Sequence, residues 1–218
     1  MIIVASKTLW IQGFFCILNL ELNNATFRKY LLRFKERNMS TSSPVKDQEK
    51  LSELKSLWDK TSKKYVLLDF MLNTGLRVSD VLSTKVGTVL HGEYIGIEQK
   101  TKKPKRFKLN AGIQLIIRDY VVANHLTEDD YLFPSNKNPE QPISRYQAFR
   151  IVQESGELIG LKLSPHSLRK TFGYLHYKRT NDVSLLMKVF NHSSPAVTLA
   201  YIGLDEETIQ NEIYNHYI

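Results

Sequence analysis

The 218-residue sequence has a single cysteine, Cys16, so no disulfide can close within the chain. Its six histidines are scattered, without the Cys/His spacing of a zinc site. A reduced intracellular setting with no metal and no cofactor is the expectation. Internal repeats and low-complexity tracts are missing too. Long apolar runs are nearly absent: only "MIIVASKTLWIQGFFCILNLEL", the first 22 residues, approaches the composition of a signal peptide or anchor. Lys7 and Gln12 interrupt that run and no basic segment precedes it, so it reads as too short to span a membrane. A membrane tether rests on these residues alone, and cell fractionation would settle it.

What is present in excess is positive charge. Thirty Lys and Arg stand against 22 Asp and Glu, a formal net charge of +8. Such a surface favours polyanionic partners, nucleic acid first, although an ordinary solvated surface also carries many lysines. The length suffices for one substantial domain and a core without covalent staples.

The polar stretch "NMSTSSPVKD" (38–47) reads as a boundary. Residues 1–38 do not conform to the rest: they are either upstream read-through before a start at Met39, or an isolated amphipathic helix built on "FRKYLLRFKER". Residues 39–46 are read as a linker and 47–218 as one domain. From Asp47 the spacing is helical, with Leu51, Leu54, Leu57 and Trp58 on one stripe, and a second helix follows in "KKYVLLDFMLNT". Gly75 fits a helix C-terminus, and "LRVSDVLS" starts another turn of helix. Residues 93–110 alternate around "TKKP" and read as a basic β-hairpin. Helices follow over "AGIQLIIRDYVVANHL", after Ser144, after Ser164 with Pro165 at its first position, over "DVSLLMKVF", over "SPAVTLAYI", and in the tail "DEETIQNEIYNHY". The fold class is therefore α+β, mostly helical, with a small sheet.

Four separated pieces carry residues suited to phosphate chemistry: "TGLRVSD", "QKTKK", "SPHSLRKT" and "NHSSPAVTLAYIG". Each is weak alone. Their order, His166 three residues before Arg169, and His192 nine residues before Tyr201 resemble the catalytic domain of the tyrosine recombinases, the phage-integrase family of site-specific DNA recombinases. The resemblance covers about residues 46 to 214.

It implies an enzyme that cuts and rejoins DNA through a 3'-phosphotyrosyl intermediate without metal or nucleotide cofactor. Phosphoryl transfer needs two non-bridging oxygens held and growing charge neutralised, and arginine does this with planar paired donors. Arg77 and Arg169 can meet only through folding, and the resemblance implies that both clamp the scissile phosphate. A surface ion pair of Arg77 with Asp80 is the plain alternative; beside the other pieces, Asp80 becomes a buttress for the arginines.

Tyr201 is the implied nucleophile. Its neighbours "SPAVTLAYI" can bury Val197 and Ala200 while Tyr201 faces a cleft. A free phenol ionises near pH 10, so about one in a thousand is phenolate at neutrality, a deficit of roughly 4 kcal/mol that the site must supply. His166 is implied as general base or relay, and His192 as hydrogen-bond partner of a non-bridging oxygen. The resemblance implies that the leaving 5'-oxygen takes its proton from a hairpin lysine: Lys100 matches best, with Lys102 or Lys103 as alternatives should the register differ.

Lys102, Lys103, Lys105, Arg106 and Lys170 are read as DNA contacts, their partner double-stranded DNA. The acidic tail, with Ile209, Ile213 and Tyr214 on one face, is implied to dock on a neighbouring subunit of a homo-tetramer; a tail packed on its own subunit is the alternative. No membrane partner is expected, and the setting implied is cytoplasmic, at the nucleoid. Relatives usually carry a core-binding domain of roughly a hundred residues ahead of this one, and residues 1–45 cannot be it. A DNA-binding regulator that retains the fold without catalysis is the alternative function.

Overall fold

Short polar caps start every α-helix among the described residues but Val78–Leu82, and a few left-handed residues stop them, so the chain turns sharply between tightly packed elements. The computed structural model describes residues 42–204. The apolar start, the basic helix and Met39 lie outside the described residues, as do Ile209, Ile213 and Tyr214 of the tail. Eight α-helices and one two-stranded sheet occur among the described residues. This is the mostly helical α+β architecture that the sequence pattern predicts.

Helix α1 (Gln48–Ser56) is capped by Asp47, whose carboxylate accepts from Glu49 N at 2.8 Å, and buries Leu51 and Leu54. Helix α2 (Lys63–Thr74) is buried on nearly all sides from Tyr65 to Leu72, which makes it the central helix of the core. It ends at Gly75, φ +58°, whose N–H reaches Met71 O at 3.1 Å. A Cβ at residue 75 would lie 2.3 Å from the Phe172 ring, so both conformation and space require glycine.

The short α3 (Val78–Leu82) and a 3-10 turn (Val86–Thr88) lead to β1 (Glu93–Ile97) and antiparallel β2 (Pro104–Lys108). The register pairs Tyr94 with Phe107 and Gly96 with Lys105. Strand alternation therefore puts Lys105 on the same face as Phe107, whose ring stacks on buried Tyr94 at 5.0 Å, and Arg106 on the other. Helix α4 (Ala111–Ala123) follows. Ser144 and Gln147 form a capping box for α5 (Arg145–Leu158). Ser164 caps α6 (Pro165–Thr180), with Pro165 at its first position. Helices α7 (Val183–Phe190) and α8 (Pro195–Tyr201) are capped by Asp182 and Ser194.

The segment read as a linker is docked at its end: Val45 is buried and its N–H donates to Thr171 Oγ1 at 2.8 Å, while Lys46 Nζ donates to Gly203 O at 2.7 Å. Residues 45 and 46 thus tie the start of the domain to α6 and to the end of α8.

Two clusters make up the core. The larger runs from α1 to the start of α6; the smaller consists of Leu186, Phe190, Ile202 and Leu204, with Phe172, Tyr174, Tyr177, Leu199 and Tyr201 packed on it. Helices α7 and α8 rest on this small second cluster, so they open at lower cost than α2 does. Gly173 permits their close approach, since a Cβ there would fall 2.7 Å from both Phe190 and Ile202. Gly173→Ala is expected to lower stability by about 1–3 kcal/mol through overpacking, read as a drop in thermal midpoint. An unchanged midpoint would show that α7 and α8 yield freely.

Candidate active site

Phe190, the last residue of α7, and Val189 before it are the meeting point of side chains from four other stretches of the chain, joined by nearby His192. The Phe190 ring is buried. The Arg169 guanidinium carbon lies 4.7 Å from the ring centroid, the Tyr201 ring meets it edge-on at 5.1 Å, and the His192 ring lies at 5.5 Å. Its carbonyl accepts from Arg77 Nη2 at 3.4 Å, and the preceding carbonyl of Val189 accepts from Lys105 Nζ at 3.0 Å. Two cations thus dock on the carboxyl end of α7, where the helix dipole and its free carbonyls favour positive charge.

Arg77 is the residue before α3, and extended backbone there (φ −69°, ψ 148°) directs its side chain away from the helix. Its other nitrogen pairs with Glu98, a buried carboxylate at the end of β1. Burial pushes the Glu98 carboxyl up, but the Thr101 hydroxyl and the charges of Arg77 and Lys105 outweigh it and hold it below the usual range. Arg169 lies one turn into α6, almost wholly buried, and donates to the carbonyl of Gly75. The left-handed turn after α2 thus presents the oxygen that anchors the second arginine. Burial opposes the Arg169 charge, and the phenol of Tyr201 favours it.

Lys105 is brought down to about 8, first by burial and then by Arg169, with Arg77 adding to it. His166, between buried Pro165 and Ser167 on the first turn of α6, keeps its ring partly open to solvent, and His192 follows α7; both imidazoles are held below their ordinary value, by partial burial first and then by Arg169. His192 Nδ1 lies 3.2 Å from Thr198 Oγ1, and its ring meets Tyr201 edge-on at 5.0 Å. Lys170 Nζ lies 5.3 Å from the centroid of the Tyr201 ring. Arg77, Arg169, Lys105, His192 and Tyr201 thus line one cationic cleft at the end of α7, with His166 coupled electrostatically to both arginines.

A family model described as the phage integrase family matches residues 47–208. The chain belongs to the phage integrase family. The Probable integrase/recombinase YoeC of Bacillus subtilis (strain 168) is 39% identical to this family member over 173 residues, 78% of this chain and 94% of that protein. Tyrosine recombinase XerA of Saccharolobus solfataricus is 24% identical over 191 residues, 87% of this chain and 60% of XerA. Tyrosine recombinase XerH of Campylobacter jejuni is 24% identical over 156 residues, 69% of this chain and 44% of XerH. The chain therefore spans about half the length of these two relatives. The fold is shared with a crystal structure of XerA recombinase, TM-score 0.65 at 20% identity, over 81% of this chain and 65% of that one. It is shared likewise with XerH bound to a palindromic difH substrate in a post-cleavage complex, TM-score 0.62 at 19% identity, over 81% and 54% of the two chains.

In this integrase-family domain the hairpin differs from the sequence-based reading in two ways. Lys100 lies in the turn and is exposed, not at the end of β1, because β1 ends at Ile97; Lys102 (φ +58°) and Lys103 share that exposed turn. Lys105, expected on the DNA-facing surface, is instead turned into the cleft by its register opposite Gly96. Arg106, on the outer face, pairs with Glu93 at 2.6 Å. Asp80 is buried but forms no ion pair with either arginine: its Oδ1 accepts from Gln99 N at 2.8 Å and its Oδ2 has no partner. The carboxylate beside Arg77 is Glu98, which sequence reasoning missed although it is the lone acid of the hairpin's tip. The buried face of α8 also differs. Val197 is half-exposed and Ala200 exposed, while Thr198 and Ile202 are buried, because α8 meets α6 and α7 along the 198/202 edge. Tyr201, at the end of α8, is partly buried, its ring edge-on to Phe190 and His192.

Proposed function

We propose that this chain cuts and rejoins DNA strands: Tyr201 attacks a scissile phosphate held by Arg77, Arg169 and His192, forms a 3'-phosphotyrosyl bond and releases a 5'-hydroxyl, and a 5'-hydroxyl of the partner strand reverses the step. The observation that carries this reading is the convergence of Arg77, Lys105, Arg169, His192 and Tyr201 on the single residue pair Val189 and Phe190. The clamp neutralises charge on the phosphate as it builds in the transition state. The ester conserves the energy of the broken link, so rejoining needs no nucleotide. His166, exposed beside Arg169 and Lys170, takes the phenol proton.

Double-stranded DNA is the substrate, and Lys102, Lys103 and Lys170 contribute contacts to its backbone. Recombination follows when a tetramer pairs two sites, with the tail beyond residue 204 as the coupling segment. The test is incubation of the chain in EDTA with supercoiled DNA carrying the gene's own flanking sequences, read on denaturing gels for relaxed circles and covalent adducts. Adducts formed in EDTA support a metal-independent transferase. A salt-sensitive shift of the DNA without any adduct favours the regulator reading instead.

The leaving oxygen takes its proton from the hairpin: from Lys100 by resemblance, or from Lys105 by position. A 5'-bridging phosphorothiolate substrate separates them, since a thiolate leaves without a proton. Lys105→Ala is expected to cut ordinary DNA about 10²–10⁴-fold more slowly and to recover on the sulfur substrate. Recovery of Lys100→Ala alone would assign the acid to the turn. With Lys105 as the acid, cleavage by the wild type falls as pH rises past the lysine's value, because the charged form is the donor.

A further inference from the structure

Thr198 is wholly buried in the first turns of α8, and its hydroxyl is committed on both sides. Oγ1 donates to Ser194 O at 3.0 Å, one helical turn back. A hydroxyl has one proton, so with that proton directed at Ser194 O the contact with His192 Nδ1 at 3.2 Å is a bond that it accepts. Nδ1 must then carry the imidazole proton. Other contacts fix the ring around this bond: the His192 N–H donates to Met187 O at 2.9 Å, and the ring lies against Phe190 and Tyr201.

We propose that Thr198 is a positioning residue that locks His192 in its Nδ1–H form, so that Nε2 must take up a proton before it can donate to a phosphate oxygen. This rests on the reading above in which His192 meets the phosphate. In a neutral imidazole one nitrogen donates and the other accepts; with Nδ1 spent on Thr198, Nε2 has only a lone pair. The charged or titratable groups facing His192 are Arg169 from α6, Arg77 from the start of α3 and Tyr201 from α8, while Lys105 and Glu98 of the hairpin couple to it through Arg77. Without DNA, partial burial and the two arginines favour the neutral ring. A phosphate placed against the arginines offsets their charge and favours the imidazolium, so binding draws in a proton. Thr198 thereby couples grip on the phosphate to pH.

The test has two readouts on the full chain. Long-range proton–nitrogen NMR correlations report the His192 tautomer without DNA, and the affinity for a duplex bearing the cleavage site is measured from pH 6 to 8. Wild type is expected to show the Nδ1–H form and an affinity that falls with pH by up to about tenfold per unit. Thr198→Val keeps the side-chain shape, Ser194 Oγ still accepts from Val197 N–H, and Ser194 O still accepts the backbone N–H of residue 198, so the helix stays capped. Its His192 is expected to shift toward the Nε2–H form and its pH slope to flatten toward that of His192→Gln, the baseline left by His166 and the other groups. Thr198→Ser restores both. An Nε2–H form in the wild type, or a tautomer and slope unchanged in Thr198→Val, would overturn the proposal. If His192→Gln binds with unaltered affinity and slope, it is the phosphate contact of His192 that fails, and the tautomer measurement still judges Thr198 independently.

Discussion

Tyr201→Phe is expected to abolish covalent protein–DNA adducts and relaxed circles, a loss on the order of 10⁴-fold or more, while DNA affinity stays within about threefold. The two sides of this expectation have separate causes. The ring contacts that seat residue 201, edge-on to Phe190 at 5.1 Å and to His192 at 5.0 Å, need no hydroxyl, so phenylalanine keeps them. The hydroxyl alone can form the phosphate ester, and a phenyl ring offers no other nucleophile. The chain has 11 tyrosines, and the variant tells Tyr201 apart from the other ten. Adduct formation by Tyr201→Phe at the wild-type rate would move the nucleophile to another of them, and peptide mapping of the adduct would show which.

Arg169→Lys is expected to slow cleavage by about 10²–10³-fold at saturating DNA and to lower the thermal midpoint as well. The planar guanidinium does several things at once: it donates to Gly75 O, lies over the Phe190 ring, and faces the Tyr201 phenol. A lysine ammonium is a point charge and cannot satisfy all three. It would also be a more strongly hydrated ion in a site where arginine is almost wholly buried, and loss of the bond to Gly75 O would leave a buried carbonyl without its donor, worth about 1–3 kcal/mol. A Lys variant that cleaves within about fivefold of wild type would show that charge alone suffices there. The same substitution at Arg77, which is more exposed and already shared with Glu98, is the informative comparison.

Much of the candidate site was legible beforehand because its members sit at fixed offsets from helix caps. Ser164 and Pro165 start α6, which sets His166 on its first turn and Arg169 one turn further in; Ser194 and Pro195 start α8 and place Tyr201 at its end. Capping is a local property, and local properties are written in a few adjacent residues. Gly75 was legible for the same reason, though its carbonyl as the anchor of Arg169 was not. The hairpin was read correctly as a hairpin, but the lysine it delivers to the cleft was not. Alternation gives parity along a strand; which parity faces inward depends on where the strand ends and what packs beneath it. Here β1 ends at Ile97, Tyr94 and Phe107 take the inner face, and Lys105 follows them.

By itself the sequence determined the helix starts, the left-handed stop at Gly75, the fold class and the set of chemical groups available, since each depends on near neighbours or on residue type. Tertiary structure alone decided that Glu98, not Asp80, accompanies Arg77, that Thr198 and Ile202, not Val197 and Ala200, face inward on α8, and that Phe190 is the residue around which the cleft assembles. The physical reason is that these are contacts between elements far apart in the chain. Their partners are chosen by packing, by helix dipoles and by buried charge, none of which has a period along the sequence.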